Sequence, residues 1–164
     1  MLEEGQIGKP TLEDAILLAS VMHMGQVDKS GEPYILHPLT VMINVDLGIG
    51  WLNKRDLQIV AVLHDVVEDT DVNLEELKLR GFKDDIVEAI DAITHRPNEP
   101  NKEYWTRVAK NDMAYMVKLQ DIAHNTSKER CEKLDEKTNQ RLMNKYAEAI
   151  TFMGNIRRKM AQEE

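Results

Sequence analysis

A chain of 164 residues with 42% hydrophobic and only 5% aromatic residues is long enough to bury one core and too short for a second catalytic domain. Its formal net charge of −8 sets the overall field against nucleic acid and anionic membranes, so neither is an expected partner. The lone Cys131 cannot close an intramolecular disulfide, the first residues lack the basic-then-apolar order of a leader, and no apolar run is long enough to span a bilayer. A cytoplasmic protein with an aliphatic, Met-rich core is expected.

Thr11 is the predicted N-cap of a first helix, with Asp14 in its first turn and Leu12, Ala15, Ile16, Ala19 and Met22 at helical spacing before Gly25. The turn-rich stretch 25–35 reads as a loop. His37-Pro38 is expected to open a second helix, with Pro38 at its first position, Val41, Val45 and Ile49 on one face, and Gly48 and Gly50 ending it. Asn53 and Asp56 then cap a central helix whose residues Leu57, Val60, Ala61, Leu63 and Val67 are mostly buried; it is predicted to run to Thr70 and Asp71. Asn73 and Glu76 form a capping-box-like pair before Leu74, Leu77, Leu79 and the stop at Gly81. Further helices are predicted at about 84–94, with Ile86, Ile90 and Ile93 on one side, at 104–108, and from about 113 to 125; residues 95–102 read as a loop and 125–138 as a polar connector. A last helix packs through Leu142, Tyr146, Ala149, Ile150 and Met153, and Arg157, Arg158 and Lys159 suit its C-terminal end. No segment alternates as a strand does. The expectation is one all-α domain over 1–164.

The stretch LQIVAVLHDVVEDTD, 57–71, is badly matched to a plain core helix. On a continuous helix His64 and Glu68 are one turn apart, as are Asp65 and Asp69, forming a two-row polar patch. Carboxylates gathered at a helix C-terminus oppose its dipole and repel one another, so they call for a cation or for water. His37 at a helix start and Asp121, which intrudes on the stripe Met113, Met116, Val117, complete a set of two imidazoles and two carboxylates from three helices. That donor set suits Mn²⁺, Fe²⁺ or Zn²⁺. Glu68 and Asp69 are then placed to orient and deprotonate water, and Lys29 with Ser30 to meet an anionic group, which makes phosphate ester or anhydride hydrolysis the natural reaction class. Asn125 lies one turn beyond Asp121 on the same face. Taken singly, His23 and His95 read as packing or loop residues, and Tyr34 as a residue that either packs or stacks on a base.

HMGQVDKSGEPYILHPLTV, LHDVVEDT and KLQDIAHN, in that order, resemble the HD-domain metal-dependent phosphohydrolases, and among them the RelA/SpoT-type alarmone hydrolases that remove the 3′-pyrophosphate of (p)ppGpp. The resemblance spans about 12–153. It implies a compact all-α HD-domain bundle, with His37, His64, Asp65 and Asp121 as ligands of a Mn²⁺ ion and Glu68 and Asp69 as the water-activating pair. It also implies Lys29, Ser30 and Asn125 as nucleotide contacts. Two segments depart from the family pattern. Asp28 stands where an arginine is usual before the Lys-Ser pair, and Asp121-Ile122-Ala123-His124-Asn125 replaces the usual Asp-Arg-Leu-His-Asn. The base preference and the oligomeric state therefore stay open, with an HD phosphohydrolase for another nucleotide, or a nucleotide-binding sensor without catalysis, as the alternatives.

Overall fold

The computed structural model describes residues 8–45 and 52–163, which contain ten helices and no strand beyond an isolated bridge between Val27 and Pro33. The helices are α1 (Leu12–Met22), α2 (Leu36–Asn44), α3 (Lys54–Leu63), α4 (Val66–Asp69), α5 (Leu74–Leu79), α6 (Asp84–Ile93), α7 (Asn101–Lys110), α8 (Asp112–Asn125), α9 (Lys128–Cys131) and α10 (Glu136–Glu163). The all-α expectation holds. The predicted helix end at Gly48 and Gly50, with Ile49, lies outside the described residues.

Helix α3 is the hub. Every residue from Asp56 to Leu63 is buried, so the helix is enclosed on all sides and packs against α1, α2, α6 and α8. Its Asn53 cap accepts from the Arg55 and Asp56 amides at 2.9 and 3.2 Å, whereas Asp56 is turned inward onto Lys83 Nζ at 2.7 Å. Thr11 and Asp14 form a complete capping box at the head of α1. At α5 only half of the expected box forms: Asn73 accepts from the Glu76 amide, but Glu76 pairs with Arg80.

Several boundaries move. Helix α2 begins at Leu36, so Pro38 occupies its third position and His37 its second; both side chains are buried. Asn101 and Lys102 belong to α7, the polar connector contains α9, and Leu79 and Ile150 are exposed where apolar stripes place them inside. The long α10 packs on α7, with the Trp105 and Phe152 rings 5.9 Å apart, and it continues past its basic triplet. Arg157 instead reaches across to Asp112 and the Ala109 carbonyl, tying α10 to the start of α8. Among the described residues no helix is long and apolar enough to cross a membrane.

Candidate metal centre and substrate cleft

The predicted continuous helix over 57–71 is broken where the chemistry begins. Helix α3 stops at Leu63, Asp65 takes φ −103° and ψ −6°, and α4 restarts at Val66. The His64 ring supplies a local cause, because its Nδ1 lies 2.7 Å from the Ala61 carbonyl, the acceptor that an unbroken helix uses for the Asp65 amide. The break sets the first turn of the polar patch apart from the second. His64 and Asp65 face inward, while Glu68 and Asp69 stand at the rim.

Four helical segments bring the predicted ligands together. Ligand atoms of His37, His64 and Asp65 lie within 4.8 Å of one another. Asp121 Oδ1 is 3.1 Å from His37 Nε2 and 3.9 Å from His64 Nε2, and Asp65 Oδ2 is 3.0 Å from His64 Nε2. His64 is only 2% exposed, and its Nε2 makes no hydrogen bond of good geometry although Asp65 Oδ2 stands beside it. Since the Ala61 carbonyl can only accept, Nδ1 carries that ring's proton in the neutral form, and the Nε2 lone pair points into the cluster. A buried, unpartnered imidazole nitrogen among carboxylates suits a divalent cation, and this orphaned atom shows that the donor set fits one.

The fields around the cluster are strong. Burial alone would push the His64 imidazole down, but Asp65 outweighs it and holds His64 up to about 9, so without a cation Nε2 carries a proton that a bound ion would displace. Burial likewise opposes ionisation of Asp121, yet the Lys118 ammonium beside it holds the carboxyl well below the usual range; Lys118 Nζ is 2.8 Å from Asp121 Oδ2. Asn125 Nδ2 donates to Asp121 Oδ1 at 2.6 Å. His37 is braced from behind by His124, Nδ1 to Nδ1 at 2.7 Å. At the rim, burial and then the nearby carboxylates raise Glu68 and Asp69, an effect moderated in Glu68 by the His95 amide, which donates to its Oε2 at 2.8 Å.

Tyr34 acquires a role that its sequence context does not settle. Its hydroxyl lies 2.6 Å from Asp65 Oδ2 and 3.2 Å from Asp69 Oδ2, so it bridges the inner and rim carboxylates. Burial, reinforced by those two charges, pushes the phenol upward and keeps it a donor. Tyr34→Phe is expected to fold normally while divalent-metal affinity, measured by calorimetric titration, falls about tenfold through loss of an outer hydrogen bond. Wild-type affinity in that variant would remove Tyr34 from the site.

Other residues resolve differently. His23 packs at 5.0 Å on the Tyr34 ring and meets Gln26. His95 lines the cavity, within a loop pinned by Glu99 on Arg107 and by Arg107 on the Thr94 carbonyl. Arg96 turns away to Asp91, and Lys102 lies on another surface. Lys29 and Ser30 line a second, adjoining cavity, with the Ser30 hydroxyl donating to Asp28 Oδ1 at 2.6 Å. Lys118 and His124 lie within KLQDIAHN but carry no role that the motif assigns, and Arg130 lies outside the motifs. The i,i+3 spacing of Lys118 and Asp121 on one helix was the available signal for the first.

No protein-family model matches the chain. It is 39% identical over 123 residues to a guanosine-3′,5′-bis(diphosphate) 3′-pyrophosphohydrolase of Borreliella burgdorferi, covering 68% of this chain and 18% of that protein. It is 35% identical over 124 residues to a GTP pyrophosphokinase of Streptomyces coelicolor, covering 70% and 14%. The chain thus spans less than a fifth of the length of these curated relatives. Among solved structures, a metazoan ortholog of SpoT described as hydrolysing ppGpp superposes with a TM-score of 0.72 over 92% of each chain, at 19% identity. Over about two thirds of its length the chain is thus homologous to one segment of these RelA/SpoT-type proteins, and it shares the fold of the SpoT ortholog.

Proposed function

We propose that the protein is a Mn²⁺-dependent hydrolase that removes the 3′-pyrophosphate of (p)ppGpp or a closely related alarmone. The observation that carries this reading is the unpartnered, buried His64 Nε2 facing His37, Asp65 and Asp121, with two carboxylates at the rim. The homologous 3′-pyrophosphohydrolases support the substrate class. His37, His64, Asp65 and Asp121 would hold the cation, and a divalent ion there supplies Lewis-acid polarisation of a phosphoryl oxygen and a lower pKa for water.

The chain's own groups account for the rest. Glu68, raised by burial and held by the His95 amide, takes the proton of the attacking water, and Asp69 orients that water from the other side of the rim. Lys118 keeps Asp121 ionised, and Lys145 adds positive charge to the same cavity, of about 210 Å³. Lys29, Ser30 and Asn125 meet the nucleotide beyond the scissile bond. The protonated Tyr34 hydroxyl fixes the separation of Asp65 from Asp69.

The test is a panel of 3′-pyrophosphorylated nucleotides incubated with Mn²⁺-loaded protein, with products resolved by mass. The expected products are pyrophosphate and the corresponding 5′-phosphorylated nucleoside. No turnover of any member sinks the reading, and tight alarmone binding without turnover would mark a sensor. Replacing Mn²⁺ with Mg²⁺ or Zn²⁺ in the same assay tests the metal.

A further inference from the structure

The cavity holding the carboxylates adjoins a second one of about 300 Å³, and Tyr34, Asn125, Arg130 and Tyr146 belong to both walls. Their chemistry differs. The first is lined by Asp65, Glu68, Asp69, Asp121 and imidazoles; the second gathers Lys29, Arg130 and Lys133 beside the apolar Val27, Leu134 and Leu142. Against the single carboxylate of that lining, Asp28, three cations leave the cavity net positive in a chain of net charge −8.

Arg130 is built into this wall. It comes from α9, is 24% exposed, and its Nη1 is 3.2 Å from Asp28 Oδ2. Asp28 is itself immobilised, because its Oδ1 accepts from the Ser30 amide at 2.8 Å, the Ser30 hydroxyl at 2.6 Å and the Glu32 amide at 3.1 Å. The loop 25–35 therefore holds the guanidinium from one side. A pre-oriented guanidinium loses less side-chain entropy on pairing with a phosphate, and its fork matches two phosphate oxygens. A neutral base would not call for a surplus of cations in the lining, whereas a second phosphate group would.

We infer that the second cavity is a phosphate subsite in which Arg130, positioned by Asp28 and flanked by Lys29 and Lys133, binds the 5′-phosphates of a nucleotide whose 3′-pyrophosphate lies at the carboxylate cluster. This rests on the proposed reaction. Asp28 is then the anchor of a cation delivered from another helix, and the enzyme selects substrates by their 5′-phosphorylation.

Calorimetric titration of guanosine 5′-diphosphate and of guanosine into the Mn²⁺-loaded full chain tests this. Arg130→Ala is expected to weaken the diphosphate by about tenfold or more while leaving guanosine unchanged, and Arg130→Lys to recover part of the loss. Lys133→Ala, on the same wall, should give a smaller loss with the same selectivity, and it serves if the first variant melts early. Unchanged diphosphate affinity in Arg130→Ala, or an equal loss for guanosine, overturns the inference. These titrations need no turnover, so an enzyme that hydrolyses no alarmone would sink the proposed reaction and still leave the subsite measurable.

Discussion

Asp121→Ala is expected to retain no divalent cation through gel filtration and to lose hydrolysis by about a thousandfold or more. One oxygen of Asp121 stands 3.1 Å from His37 Nε2 and 3.9 Å from His64 Nε2, where it helps define the cluster, while the other is 2.8 Å from Lys118 Nζ. Truncation therefore removes a proposed ligand and also strands an ammonium that is only 18% exposed. Breaking a buried pair from one side costs about 3–5 kcal/mol, so the variant should also melt early. Two further variants separate these effects. Asp121→Asn keeps the volume and should fold with little metal, and Lys118→Met in the Asp121→Ala background should restore thermal stability without restoring metal. Elemental analysis with thermal unfolding reads both quantities. Full metal content with normal turnover in Asp121→Ala would contradict the ligand assignment.

Glu68→Gln should behave in the opposite way, keeping wild-type metal content while turnover falls by about 10²–10⁴, the range of a lost general base. Burial raises the Glu68 carboxyl, the His95 amide partly counters that, and the Asp65 and Asp69 charges raise it further. In the wild type, activity should fall on acidification as Glu68 takes up a proton, and this acid limb should be missing from the residual activity of the variant. Stability should move the other way. A carboxylate whose folded pKa is raised above its unfolded value destabilises the protein once pH exceeds the unfolded value, because the folded state resists losing the proton. In the metal-free protein Glu68→Gln should therefore melt higher at neutral pH, by about 1–3 °C after allowance for solvent screening at the rim, with the gap closing below the unfolded glutamate pKa. A variant that loses metal along with activity would instead place Glu68 among the ligands.

Much of the candidate site could be read along the chain because its residue types are costly in their local contexts. A His-Asp pair in LQIVAVLHDVVEDT interrupts a run that packing would keep apolar, and Asp121 interrupts another stripe. Neither fits a plain core helix, so both signal a partner elsewhere. Caps at Thr11, Asn53 and Asn73 were equally legible, since a side chain bonding an amide two or three residues on is a local event. Helical spacing likewise carried the fold class, as no segment had the period of a strand.

What depends on distant parts of the chain needed the tertiary structure. The break at His64 arises because a buried ring must satisfy one nitrogen locally while presenting the other to groups on α2 and α8, and spacing alone reads through such a break. Asp56 looked like a cap, but Lys83, 27 residues away, turned it inward. Tyr34 was ambiguous until Asp65 and Asp69 arrived from α4 and its edge, and Asp28 read as a lost cation until α9 brought Arg130 against it. The sequence by itself determined which residues are chemically expensive and the helical period that carries them. Only the fold decided which of those costs offset one another, because electrostatic pairing depends on distance through space, and separation along the chain does not set it.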